Sequence, residues 1–139
     1  MTTKNENVFL WPIRVYYEDT DTGGVVYYAN YLKFMERART EWLRAEGFEQ
    51  DELITKENVI FAVRSVQADY LSPARFNEEL VVTTQVIKKG KASISVEQVI
   101  KRNNDALCKA VIKIASLNAR NFKPVALPEV IYNKIKNSS

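Results

Sequence analysis

The chain has 139 residues, 46% of them hydrophobic and 27% charged, with only four Gly and four Pro, which excludes collagen-like and low-complexity classes and suits one globular domain over residues 1–139. Twenty basic against 17 acidic side chains leave a net charge of +3, too small an excess to indicate a nucleic-acid surface. Histidine is absent and Cys108 is the sole cysteine, so Ser-His-Asp and Cys-His catalysis, His-ligated zinc, an intrachain disulfide and multi-cysteine metal sites are excluded; any general base is a carboxylate, Lys or Tyr.

In chain order, the start Met1-Thr2-Thr3-Lys4-Asn5-Glu6-Asn7 lacks the apolar run of a targeting segment. Aliphatic stretches such as Val59-Ile60-Phe61-Ala62-Val63 are too short to cross a bilayer, and a lone thiol suits the reducing cytoplasm, the expected compartment. Residues 9 to 17 are β-branched and aromatic and predict a strand running into an acidic turn. From Ala29 to Glu46 the spacing becomes helical, with Tyr31, Phe34, Met35, Ala38, Trp42 and Ala45 on one stripe over a rod of ~27 Å, and Gly47 is its natural stop. A polar connection from Glu49 to Asn58 leads to four strands, Val59 to Tyr70, Leu80 to Lys88, Ala92 to Arg102 and Leu107 to Leu117. Ser72-Pro73, Lys88-Lys89-Gly90-Lys91 and Asn103-Asn104-Asp105 punctuate them, and such short links imply antiparallel pairing, with three strands in a meander. Strand, long helix, then strands in a row is the α+β layout of an antiparallel sheet packed on one dominant helix. The tail from Glu129 to Ile135 reads equally as a short helix or a docking strand.

The chemistry concentrates in Glu18-Asp19-Thr20-Asp21-Thr22-Gly23-Gly24-Val25-Val26-Tyr27-Tyr28-Ala29-Asn30-Tyr31. Three carboxylates this close often form no more than a solvated turn with one helix cap. Here a glycine pair and Tyr17, Tyr27, Tyr28 and Tyr31, which can wall off water, set a carboxylate just ahead of unpaired helix-start N–H groups able to hold an oxyanion. Asp19, Asp21 and Gly24 match part of a calcium loop, but Gly23 and Asn30 stand where oxygen ligands and a bidentate Glu are required. No Gly-Lys-Ser/Thr follows the glycines, and the carboxylates would repel a phosphate. Cys108 and the helix stripe read as core, and the Lys88–Lys91 hairpin reads as an exposed turn that could alternatively hold phosphates.

The segment Tyr17 to Tyr31, continued by Phe34, Glu36, Arg37, Ala38 and Arg39 and by Tyr70-Leu71-Ser72-Pro73-Ala74-Arg75, resembles the signature of hotdog-fold acyl-CoA thioesterases. The similarity is to the Tol-Pal-associated, YbgC-type group related to 4-hydroxybenzoyl-CoA thioesterase, and it reaches Lys123-Pro124. The resemblance implies an antiparallel sheet wrapped around one long central helix, with units pairing edge to edge into dimers, often homotetramers, whose sites form at subunit interfaces. It implies Asp21 as catalytic nucleophile or base, the backbone N–H of Tyr28 as oxyanion donor, and Lys91 and Ser93 facing the coenzyme A phosphates. Many members of this branch carry His where this chain has Tyr28; any non-proline residue supplies the N–H, so the change bears on substrate preference.

The resulting expectation is hydrolysis of an acyl-CoA to free acid and coenzyme A, with no metal and no cofactor beyond the coenzyme A of the substrate. Thiolate leaves without strong acid help, which accounts for a site without histidine. The alternatives are a non-catalytic module binding acyl-CoA or acyl carrier protein in the same pocket, which thiol release separates from an enzyme, and a dehydratase, whose usual histidine base is missing here.

Overall fold

The computed structural model describes residues 7–135; the N-terminal segment read above for targeting lies, except for Asn7, outside the described residues. The strand expected over 9 to 17 is β1, Val8–Arg14, and it stops short of the tyrosine pair. Tyr16 and Tyr17 favour extended backbone, yet the Asp19 carboxylate accepts from the Tyr16 N–H at 2.8 Å and closes a 3₁₀ turn over Tyr17–Asp19. Local capping thus overrides strand propensity.

The long helix is α1, Asn30–Ala45. Tyr31, Phe34, Met35, Ala38 and Trp42 are buried as its spacing requires, whereas Ala45 is exposed and Leu43 takes a core place instead. Its end is built by Gly47 at φ 96°: the Gly47 N–H donates to Arg44 O and the Phe48 N–H to Leu43 O, satisfying two terminal carbonyls. The polar connection is itself helical, a short turn α2, Gln50–Glu52, running into a π-type turn at Leu53–Glu57 that Asn58 ends at φ 57°.

Four strands follow: β2, Val59–Tyr70; β3, Glu79–Lys89; β4, Ser93–Arg102; and β5, Asp105–Asn118. All pairings are antiparallel in the order β1-β3-β4-β5-β2, so β3, β4 and β5 form the meander and the earliest strands become its two edges. Pro12 is tolerated because β1 lies at an edge. On β4, Ile94, Val96, Gln98 and Ile100 are buried under α1 while Ser93, Ser95 and Glu97 are half-buried, as the alternation predicts. The tail is a helix, α3, Glu129–Lys134, whose Ile131 is fully buried.

Candidate active site

The acidic segment folds as a tight hairpin between β1 and α1. The Asp21 N–H donates to Val25 O at 2.9 Å, Gly24 N–H to Asp21 O at 3.0 Å, and Thr20 bridges Val26. Gly24 sits at φ 79°, a left-handed position that this three-residue loop requires and glycine supplies without strain. The Asp21 carboxylate accepts from the Gly23 N–H at 2.9 Å, and a Cβ on Gly23 would lie 3.3 Å from the same oxygen. The glycine pair therefore shapes the carboxylate's own surroundings.

Each of the three carboxylates has a separate fate. Asp19 is buried and structural, Glu18 is exposed, and Asp21 stands exposed at the hairpin tip. The hairpin is bound to the helix start: the Tyr27 N–H donates to Asp19 O at 3.1 Å and the Asn30 amide to the same carbonyl at 2.9 Å. From behind, the Val26 N–H donates to Ala74 O at 2.8 Å, Val25 bridges Arg75, and the Ala74 N–H donates to the buried Tyr31 hydroxyl at 2.9 Å. Burial pushes the Tyr31 phenol above its ordinary pKa, keeping it a neutral acceptor for that bond. Sequence reasoning missed Asn30, Tyr31 and Asp19 as positioning groups, although an Asx residue placed to cap was a usable signal for Asp19.

At the helix start the Tyr28 and Ala29 N–H groups have no acceptor among the described residues. That leaves two unbonded donors next to the hairpin, as the end of a helix dictates. The Tyr28 ring packs at 4.9 Å from Tyr27 and 5.8 Å from Tyr70, and Tyr31 lies 5.7 Å from Tyr70. The expected aromatic wall is not closed in a single chain: Tyr17 is 80% exposed, Tyr28 59%, and Tyr31 belongs to the core.

Lys91 and Ser93 lie in the β3–β4 hairpin, Lys91 exposed and Ser93 half-buried. A Cβ on Gly90 would lie 2.9 Å from Ser93 Oγ, so a side chain there would oblige that hydroxyl to turn away. The acidic hairpin follows Arg14, which pairs with Glu79 at one end of β3, while Lys91 follows Lys89 at the other. Within one chain the structure therefore sets the two sites roughly 30 Å of strand apart. Cys108 is buried, and burial followed by the Asp69 charge pushes its thiol up to about 11, which leaves it no thiolate to act as nucleophile. Among the described residues no group of three His, Cys, Asp or Glu converges as a metal cluster, and no helix is long and apolar enough to cross a membrane.

Residues 23–109 match the family model described as thioesterase superfamily. The acyl-CoA thioesterase YbgC of Haemophilus influenzae is 44% identical over 126 residues, covering 91% of this chain and 93% of that protein. The acyl-CoA thioester hydrolase YbgC of Escherichia coli O6:H1 is 40% identical over 133 residues, covering 95% and 98%. The crystal structure of a probable thioesterase from Bartonella henselae superposes with a TM-score of 0.84 at 35% identity, covering 87% of this chain and 99% of that one. With the sheet, the central helix and the acidic hairpin in place, these similarities mean that the chain belongs to the thioesterase superfamily, as a hotdog-fold thioester hydrolase of the YbgC-type branch.

Proposed function

We propose that this chain hydrolyses acyl-CoA to free acid and coenzyme A, with Asp21 driving attack on the thioester carbonyl and the Tyr28 N–H stabilising the oxyanion. The observation that carries this reading is the hairpin itself: a carboxylate held by backbone bonds on a turn that is bonded in turn to a helix start with two free donors. Asp21 either bonds the acyl carbon directly, giving a mixed anhydride that water opens, or removes a proton from the attacking water. In both routes the carbonyl oxygen gains charge where the helix-start amides point, and the thiolate leaves and is then protonated.

The complete site is shared between two copies. β2 presents an unpaired edge on which Val63, Val66 and Tyr70 are 49%, 38% and 45% exposed. Two-fold antiparallel pairing of this edge with its copy brings the Val59 end of one subunit beside the Tyr70 end of the other. Ser93 travels with the Val59 end, since it pairs with Ala115 and Ala115 with Ala62; the helix start travels with Tyr70. Lys91 and Ser93 of one subunit then approach Asp21 of the other, where they bind coenzyme A phosphates, and the exposed tyrosines are covered. Such dimers, alone or paired into tetramers, act in the cytoplasm.

The test is coenzyme A release from a panel of acyl-CoAs of different length and aromaticity, followed by a single turnover in oxygen-18 water. Release from at least one acyl-CoA is expected; binding without release would replace the enzyme by a carrier module. Label in the Asp21 carboxylate marks the direct route with the anhydride opened at the Asp21 carbonyl, whereas label in the acid alone marks water attack on the acyl carbon, which either route permits.

A further inference from the structure

On the β2 side of α1, between the helix and β2, β4 and β5, lies a cavity of about 160 Å³ that the reaction described above does not use. Its walls are apolar at Trp42 and Phe61, but its lining includes the guanidinium-bearing Arg39 with Thr40 and Gln50. One Arg39 nitrogen donates to Gln98 Oε1 at 2.9 Å. Gln98 is fully buried and cannot turn away, because its amide nitrogen donates to Met35 O at 3.0 Å and to Thr84 Oγ1 at 2.9 Å. Buried polar atoms thus hold this arginine at the cavity wall.

Arg39 takes part in none of the ion pairs found among the described residues, and its other guanidinium donors have no protein acceptor there. Glu36 also lines the cavity, one turn earlier on α1, and is exposed. Its charge acts on Arg39 without reaching it as an ion pair, while burial pulls the Arg39 pKa below its ordinary value, the mark of a cation short of counter-charge. A planar fork of donors in a recess whose remaining walls mix Thr40 and Gln50 with Trp42, Leu43 and Phe61 matches a carboxylate carried on an apolar body, because both oxygens can be held at once.

We propose that the Arg39 cavity receives the far end of the acyl group and selects a terminal carboxylate over a terminal methyl group, making ω-carboxylated acyl-CoAs the preferred substrates. This rests on the thioesterase reading and its edge-paired dimer: Phe61 and Val63 line the cavity near the Val59 end of β2, which that pairing sets beside the acidic hairpin of the other subunit. A methyl terminus there would displace water from the guanidinium donors without supplying acceptors, which is the stronger form of substrate rejection.

The experiment compares kcat/KM for acyl-CoAs of equal length ending in methyl or carboxylate, read as coenzyme A release by the full chain. Wild type should favour the carboxylate by about ten-fold or more, mostly through KM. Arg39→Met should bring the ratio to about one or invert it, and Arg39→Lys, which keeps the charge without the fork, should fall between. The wild-type ratio needs no variant to fold, and thermal unfolding of each variant separates collapse from altered selection. A wild-type ratio near one, or an unchanged ratio in Arg39→Met, overturns the proposal and is what an arginine paired with a carboxylate of the second subunit would give. Absence of release from every acyl-CoA overturns the thioesterase reading with it, a distinguishable result.

Discussion

At the residue scale, the two groups flanking the proposed reaction differ in what they demand of their side chains. The contribution proposed for Tyr28 is its backbone N–H, so Tyr28→Phe should retain turnover while Tyr28→Pro, which deletes the donor, should lower kcat by about 10²–10³-fold, read in steady-state coenzyme A release with circular dichroism as the check on folding. Asp19 acts structurally through the bond it accepts from Tyr16 and the carbonyl that receives Tyr27 and Asn30. Asp19→Ala should cost about 1–2 kcal/mol in urea unfolding, by analogy with lost caps, and should loosen the hairpin that carries Asp21. In the sequence, Asp19 and Asp21 look alike as neighbouring carboxylates. Burial and hydrogen bonding separate them, Asp19 buried and capping the 3₁₀ turn, Asp21 exposed at the hairpin tip, and only the capping pattern of Asp19 leaves a trace in the sequence.

Among the elements, the legible parts were those fixed by local rules. The bounds of β2 follow from Asn58 on one side and Ser72-Pro73 on the other, and those of α1 from its apolar spacing and Gly47. The misread end of β1 has a local cause too, a cap that competes with two strand-forming tyrosines. What spacing could not disclose is non-local pairing: the meander is readable from short turns, but that β1 closes on β3 and β2 on β5 is decided by contacts between distant residues. The placement of β2 at an edge has a functional consequence. Lysine at both Val63 and Val66 sets like charges against each other along the proposed subunit seam. That double variant should sediment as a monomer and lose coenzyme A release together with assembly, whereas a charge-insensitive oligomer with full activity would remove β2 from the interface.

For the molecule as a whole, one long helix on a five-stranded sheet leaves the carboxylate hairpin and the basic hairpin at opposite ends of the same chain. The tyrosines Tyr17, Tyr27 and Tyr28 near Asp21 are exposed in the single chain, so the aromatic shielding inferred from the neighbouring tyrosines is absent there, and the proposed edge pairing is what would supply it. Charge acts at this scale as well. With a net charge of +3 and lysines on the hairpin assigned to phosphates, KM for acyl-CoA should rise with added salt, since the Debye length falls from about 10 Å at 0.1 M to about 3 Å at 1 M. The rise should be weaker in Lys91→Ala, and kcat should change little in either protein, because the phosphates are remote from the reacting carbon.

The claim on which the account depends is that the Asp21 carboxylate does the chemistry beside the helix-start amides. Its most direct test is kcat for Asp21→Asn at saturating acyl-CoA. Asn keeps an oxygen that can accept from the Gly23 N–H, so the hairpin and the unfolding midpoint should be preserved while the base or nucleophile is lost. The account predicts a fall of about 10²–10⁴-fold in coenzyme A release with acyl-CoA binding retained; release at the wild-type rate would contradict it.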